Sequence, residues 1–105
     1  MDCNQAIICG EIIKLAELRC TPAGVAVVEF SIRHQSNQLN AGVSRQVKCD
    51  ISAIAFDQMA MTIIKFKIGH QVKLTGFLTR KSRMSQQLIL HVNKVVQLLS
   101  ENKGR

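Results

Sequence analysis

The chain has 105 residues and a mass of 11.7 kDa, which is enough for one domain built around one core. Apolar residues make up 47% of it and charged residues 20%, a composition that excludes an intrinsically disordered protein. No apolar run approaches the roughly 20 residues of a membrane-spanning helix. The start, Met1-Asp2-Cys3-Asn4, lacks the basic and apolar regions of a signal peptide, so we expect a cytoplasmic protein.

The net charge of +7 is distributed unevenly along the chain. Residues 1–62 carry a net charge of −1, whereas residues 63–105 carry a net charge of +8. An excess of this kind favours an anionic partner. The aromatic residues are four Phe, with no Trp and no Tyr. Because single-strand binders usually stack bases on rings, this shortage predicts that charge dominates any binding of nucleic acid.

Two-residue alternation of apolar and polar side chains predicts three strands in the first part of the chain. They cover residues 5–15, 25–35 and 45–55. In the second strand Val28, Phe30 and Ile32 share one face, as expected of a strand with one buried side. The polar residues 36–44 predict a long hairpin loop between strands two and three.

The period changes to that of a helix after the third strand. Ala60, Ile63 and Ile64 recur at helical spacing, and Asp57 is predicted to cap the start of a short helix. Gly69 is placed to end this segment. Two further strands are predicted over residues 70–79 and 88–99, joined by a polar, basic connection at residues 80–87.

Three strands, a short helix and two more strands in about 100 residues is the order of the OB-fold, a five-stranded antiparallel barrel. Gly10 and Gly76 lie inside predicted strands, where glycine can bend a strand at a barrel corner. An SH3-like barrel is the nearest alternative, but the helix between strands three and four favours the OB-fold. We therefore expect a single OB-fold domain over residues 1–105, with a frayed tail from about residue 100.

The sequence carries no catalytic or metal-binding signature. It has no P-loop, no dinucleotide-binding glycine motif and no nucleophile elbow, and its acidic residues form no acid/base motif. The histidines His34, His70 and His91 lie on different elements. The cysteines lack zinc-site spacing and are expected to be free thiols, with Cys9 and Cys49 in the core. We expect a protein that is not an enzyme and that holds no metal or cofactor.

Basic side chains from separate elements converge on one groove if the fold is an OB-fold. In that fold, oligonucleotides bind across strands two and three, between the loops that join strands one to two and four to five. The planar guanidinium of Arg and the ammonium group of Lys bind phosphates well. Because such contacts release counterions from the nucleic acid, salt should weaken the binding. The alternative, that these charges only solvate loops, stays open. The predicted nucleic-acid-binding residues are Arg19, Arg33, Arg45, Lys48, Lys73, Arg80, Lys81 and Arg83, with Phe77 as the candidate base-stacking ring.

Short motifs are spread along almost the whole chain. They include Thr21-Pro22-Ala23-Gly24, Phe30-x-x-x-His34, Gly42-x-x-Arg45-Gln46, Gly76-Phe77-Leu78, Lys81-Ser82-Arg83 and Leu90-His91. As an ordered set, these motifs resemble the family of primosomal replication protein N (PriB), in the single-stranded DNA-binding superfamily. The resemblance implies a homodimer of OB-folds that binds single-stranded DNA during replication restart. It also implies partners: the PriA helicase, which such proteins stimulate without hydrolysing ATP, the DnaT loader in some bacteria, and single-stranded DNA-binding protein.

The chain departs from this family at three positions that the resemblance assigns to DNA contacts. Lys48 stands in place of a stacking Trp, Val43 in place of Phe, and Gln35 in place of Arg. Exchanging a ring for a charge predicts weaker and more salt-dependent binding than in relatives that carry the rings. Two alternatives stay open: a primosome adaptor with vestigial DNA binding, and an RNA-binding OB-fold protein.

Overall fold

Six strands and one short helix make up the fold in this computed structural model, which describes residues 1–99. The predicted frayed tail lies outside the described residues. No helix of that part of the chain is long and apolar enough to cross a membrane. The strands are β1 (Ala6–Leu15), β2 (Arg19–Cys20), β3 (Ala26–Asn40), β4 (Val43–Phe56), β5 (Gln71–Arg80) and β6 (Leu88–Leu98), and the helix between β4 and β5 is α1 (Gln58–Ile63).

The strands form one sheet in which the last long strand in spatial order also pairs with the first. Neighbours run in the order β1-β5-β6-β4-β3, and β3 also pairs with β1. The predicted β architecture, with one short helix between the third and fourth long strands, is confirmed. Two details of the prediction are wrong. The two-residue β2 adds a sixth strand at the edge of β3, and β4 pairs with β6 in parallel. β2 has only two residues, and the parallel pairing joins only Ala53 to Leu90 and Ile54 to His91, so neither leaves a periodic signal in the sequence.

The core lies on the inward side of these strands. Ile12, Ile32 and Leu74 are fully buried there, and α1 packs against them through Ala60 and Ile63, as the helical stripe predicts. A predicted detail of the helix start is wrong, since Asp57 makes no side-chain capping hydrogen bond. Its φ of 60° turns the chain from strand to helix directly, and its backbone N–H donates instead to Ala26 on β3.

Glycine is required where two strands approach each other closely. The register between β5 and β6 shifts immediately before Gly76, which confirms the irregularity predicted there, and a Cβ at this position would overlap the backbone carbonyl of His91. At Gly10 a Cβ would lie 2.7 Å from the carbonyl oxygen of Arg33. β1 bends elsewhere, however, because its own register shift comes after Ile12. Both glycines therefore serve close packing of backbones, and only Gly76 lies at a bulge.

The predicted loop at residues 36–44 is wrong, because β3 and β4 continue through it as a paired hairpin. Their ladder is unbroken as far as the pair Asn40 and Val43. Residues 37–46, here called the arm, are exposed on both faces, so no apolar alternation marks them as strand. The arm extends the molecule to a radius of gyration of 15.0 Å, against about 13 Å for a compact chain of this length.

The turn at the tip of the arm carries one strained residue. Ala41 and Gly42 have φ values of 54° and 78°, the positive pair of a two-residue type I′ turn. Asparagine tolerates this backbone better than alanine does. We expect Ala41→Asn to raise the free energy of opening the arm by about 0.5–1 kcal/mol and so to slow its amide hydrogen exchange. Gly42→Ala should lower this free energy and speed the exchange. Faster exchange in Ala41→Asn, measured by NMR, would contradict this assignment of the turn.

Candidate nucleic-acid interface

Outward side chains of β1, β3 and β4 form polar rows across the three strands. Lys14 lies opposite Ser31, which lies opposite Ser52. Because side chains alternate along a strand, the residues two positions away share this side of the sheet. We call this surface the outer face. Its residues are Lys14, Ser31 and Ser52 in one row, Glu11, Arg33 and Asp50 in the next, and Gln35 and Lys48 in the third.

A pocket of about 380 Å³ opens at one end of the outer face. Two lysines from separate elements line it, Lys14 from β1 and Lys81 from the loop after β5. Lys14 was not among the residues predicted from the sequence, because the register shift in β1 displaces it from the simple alternation of that strand. The pocket is lined by Lys14, Leu15, Ala16, Glu29, Phe30, Ser31, Ser52 and Lys81.

Two of the predicted cations are paired with carboxylates. Arg33 donates from Nε to Oδ1 of Asp50 at 2.9 Å and from Nη2 to Oδ2 at 3.2 Å. Arg19 donates from Nη2 to Oε2 of Glu29 at 2.9 Å. These are the two ion pairs found within residues 1–99. All four side chains are about half exposed, so the pairs add little stability, and their main effect is on local charge.

The pair on the outer face keeps Asp50 ionised among the basic residues. The hydrogen bond from Arg33 lowers the pKa of Asp50 below its ordinary value, and partial burial opposes this shift. The positive charges of Arg33, Lys48 and Lys14 lower the pKa further. The hydrogen bond and charge of Asp50 in turn raise the pKa of Arg33. At neutral pH, the carboxylate of Asp50 therefore accepts the hydrogen bonds that the guanidinium of Arg33 would otherwise donate to a phosphate.

Removing this carboxylate charge should strengthen the binding of single-stranded nucleic acid. In Asp50→Asn the guanidinium of Arg33 becomes available, so we expect two- to tenfold tighter binding and a salt slope steeper by up to about 0.7. Asp57→Asn, which changes the net charge equally at the start of α1, is the control and should have little effect. Fluorescence anisotropy over a range of salt concentrations measures both. Equal gains in the two variants would show that only the net charge matters.

The other predicted cations lie on three different parts of the surface. Lys48 faces outward, whereas Arg45, three residues before it on β4, points to the opposite face of the arm. Lys73 lies on β5 opposite Cys9 of β1, away from the pocket. The structure thus brings Arg33, Lys48 and Lys81 to the outer face. It places Arg19 in β2 at its edge, Arg80 at the end of β5, and Arg83 in the loop that follows.

Phe77 is part of a stack of three rings rather than a free platform. Its ring centroid lies 4.4 Å from that of His91, with an interplanar angle of 25°. On the other side of His91, Phe56 stacks at 5.0 Å and 30°. All three rings are partly exposed. Across the sheet, His91 of β6 lies opposite Ile54 of β4, which lies opposite Glu29 of β3 in the pocket wall. One face of Phe77 is thus covered, and its role in base stacking stays a prediction.

The remaining histidines have structural hydrogen bonds. His34 lies with Nδ1 2.7 Å from the carbonyl oxygen of Cys9 and Nε2 2.8 Å from Oγ of Ser36, and Nδ1 of His70 accepts the Lys67 N–H at 3.2 Å. All four cysteines are free thiols, as predicted. The predicted burial of Cys9 and Cys49 is wrong, because both are exposed. Cys9 lies on the outward side of β1, opposite the exposed Lys73, and Cys49 lies between the exposed Lys48 and Asp50 on β4. Within residues 1–99, no three side chains of the ligand-forming types cluster to hold a metal ion.

The strand order and the polar outer face define an OB-fold binding protein. A family model described as another single-strand binding protein family matches residues 4–94. The fold is also that of the single-strand binding protein of Plasmodium falciparum, solved in complex with single-stranded DNA. The TM-score is 0.75 at 17% identity, and the match covers 93% of this chain and 96% of that chain.

Among curated relatives, the replication restart protein PriB of Nitrosomonas europaea is 46% identical over 89 residues, which cover 85% of this chain and 82% of that protein. The structure of PriB from Ralstonia solanacearum matches with a TM-score of 0.85 at 25% identity, over 91% of this chain and 98% of that chain. The chain therefore belongs to the single-strand binding protein family and, within it, to the PriB replication restart proteins.

Proposed function

We propose that this chain is a cytoplasmic, non-enzymatic component of the primosome that binds single-stranded DNA in replication restart. Its membership among the PriB replication restart proteins supports the process. The polar, basic outer face supports the ligand. In this proposal the chain stimulates the PriA helicase while bound to DNA, and DnaT and single-stranded DNA-binding protein are further partners.

The observation that carries the proposal is the alignment of Lys14, Lys48 and Lys81 along one face. In our proposal the five long strands close into the OB barrel, and a single strand crosses the outer face with its phosphates toward these ammonium groups. Arg33 joins them when a phosphate replaces Asp50. Arg80 and Arg83, on either side of Lys81 in the chain, add positive charge near this path. Arg19 is paired with Glu29, and Arg45 and Lys73 lie on other parts of the surface. Phe77 offers its uncovered ring face to a base.

A direct titration tests the proposed ligand. Labelled single-stranded DNA, duplex DNA and single-stranded RNA of equal length are titrated with the protein by fluorescence anisotropy at several salt concentrations. We expect the single-stranded DNA to bind tightest, and its affinity to fall linearly with salt on a log–log plot. Equal affinity for the duplex would contradict single-strand recognition. A preference for RNA would favour the alternative of an RNA-binding OB-fold protein.

A homodimer is part of the proposal. Within residues 1–99, β1 pairs with β5 over residues 6–11 and with β3 only from Glu11 onward, so one edge of residues 6–10 has no strand partner. Ile7 lies in this segment of β1 and is 58% exposed. A second copy pairing its own β1 about a two-fold axis would complete the edge and cover Ile7. Light scattering should then give twice the 11.7 kDa of one chain, and the mass of one chain would contradict the dimer.

An adaptor with weak DNA binding is the second candidate. It is favoured by the carboxylates that already occupy Arg19 and Arg33. The variant with Arg80, Lys81 and Arg83 all replaced by alanine separates the two functions. If DNA binding is lost and helicase stimulation falls with it, the DNA-binding function is supported. If stimulation is unchanged, the adaptor function is supported.

A further inference from the structure

We propose that the pocket at the end of the outer face holds one backbone phosphate between Lys14 and Lys81, and that Arg19 acts on it indirectly by neutralising Glu29. The inference rests on the proposed binding of single-stranded DNA and assigns one phosphate of that ligand to a position on the protein. It also gives Arg19 a positioning role in place of the direct contact predicted from the sequence.

The pocket provides the groups that a phosphodiester needs. Lys14 and Lys81 supply positive charge from two elements that are far apart in the sequence, and Ser31 and Ser52 supply hydroxyl groups. No bulky ring stands in the row formed by Lys14, Ser31 and Ser52, so this row suits a sugar-phosphate backbone better than a stacked base. Contacts of this kind fix the register of a strand on the protein without reading its sequence.

The wall of the pocket is anchored by the segment between β1 and β2. The backbone N–H of Ala16 donates to the carbonyl of Glu29 at 3.0 Å. Arg19, three residues further on, lies opposite Val27 of β3 and reaches Glu29 from there. The strand that contributes Glu29 and Ser31 to the pocket is thus tied to the segment that carries Arg19.

Glu29 is the one acidic residue that lines this pocket. An unpaired carboxylate there would repel a phosphate seated between the two lysines. The hydrogen bond from Arg19, at 2.9 Å, compensates its charge. Arg19 therefore affects phosphate binding through Glu29. Removing Arg19 should weaken DNA binding only while Glu29 carries its negative charge.

The salt dependence of binding tests whether Lys14 and Lys81 share a phosphate. For single strands the log–log salt slope changes by about 0.7 for each phosphate neutralised. If both lysines hold the same phosphate, the double variant K14A/K81A lowers the slope by about 0.7 in total, and its affinity loss is less than the product of the two single losses. Lys65→Ala, beyond the end of α1, is the control for removing one positive charge.

A double-mutant cycle tests the role of Arg19. We expect Arg19→Ala to weaken binding of single-stranded DNA several-fold in the native background and to have almost no effect in Glu29→Gln. Circular dichroism melts of the same variants check that each is folded. An equal loss in both backgrounds would mean that Arg19 contacts DNA directly, and would overturn its indirect role.

The outcomes separate this inference from the proposed function. If K14A/K81A lowers the salt slope by about 1.4, which corresponds to two phosphates, and the losses of binding free energy add, the two lysines contact separate phosphates. That result would overturn the proposal that they share one. Losses equal to that of Lys65→Ala would overturn the seat while leaving the proposed function in place. Failure of the unaltered protein to bind single-stranded DNA would overturn the proposed function itself, and the seat with it.

Discussion

Replacing Gly76 with alanine is expected to lower the free energy of unfolding by about 3 kcal/mol, near the upper end for a residue forced into a packed site. The added Cβ would overlap the backbone carbonyl of His91, and a backbone group cannot move aside as the end of a flexible side chain can. Relief would require separating β5 from β6 at their bulge, where the ring stack on His91 also crosses.

Gly10→Ala is the graded comparison for this prediction. Its Cβ would lie 2.7 Å from the carbonyl oxygen of Arg33, a milder overlap, so we expect a smaller loss of about 1–2 kcal/mol. Urea denaturation followed by circular dichroism gives both values. An unfolding midpoint for Gly76→Ala equal to that of the unaltered protein would show that β5 and β6 are not paired as described.

Replacing Lys48 with tryptophan is expected to change the mode of DNA binding. Lys48 is exposed on the outer face, where the substitution would exchange a phosphate contact for a stacking surface. Losing the charge should lower the salt slope by about 0.7, while stacking adds about 1–3 kcal/mol that does not depend on salt. The two effects offset each other at low salt, so at high salt the variant should bind up to about 100-fold tighter than the native protein.

Two controls isolate the contribution of the ring. Lys48→Ala removes the charge without adding a ring and should bind more weakly than the native protein at low salt. Lys65→Trp adds a ring away from the outer face and should leave the affinity unchanged apart from a small effect of charge. If Lys48→Trp and Lys48→Ala bind equally at every salt concentration, no base reaches this position.

The elements with one buried face were predictable from the sequence. Val28, Phe30 and Ile32 alternate on β3, and Ala60 and Ile63 recur on α1, because burial on one side imposes a period that the sequence displays. The arm was not predictable in this way. Both of its faces meet solvent, so the pairing of residues 37–46 depends on the turn at its tip and leaves no apolar pattern.

The candidate site was predictable in its residue types and only partly in its geometry. Arg33, Lys48 and Lys81 share the outer face as expected, but alternation places Arg45 on the opposite side of the same strand. The register shift that brings Lys14 into the pocket cannot be read from periodicity. The carboxylates that occupy arginines act over long sequence separations, which a single sequence does not reveal.

The charge asymmetry of the chain has a different meaning in three dimensions. The second part of the chain, residues 63–105, carries all of the excess positive charge, yet Lys14 and Lys48 of the outer face come from the nearly neutral first part. Lys81 joins them from the second part. An anionic partner meets the charges that share one face of the fold. The part of the sequence from which each charge comes has no effect on this.

An NMR footprint tests most directly whether the outer face is the site for single-stranded DNA. The ¹⁵N-labelled protein is titrated with a short oligothymidine, and amide shifts are followed residue by residue. We expect the largest shifts at Lys14, Ser31, Lys48, Ser52 and Lys81. Shifts centred instead on Lys73 and the strands β1, β5 and β6, with the outer face unchanged, would contradict the account.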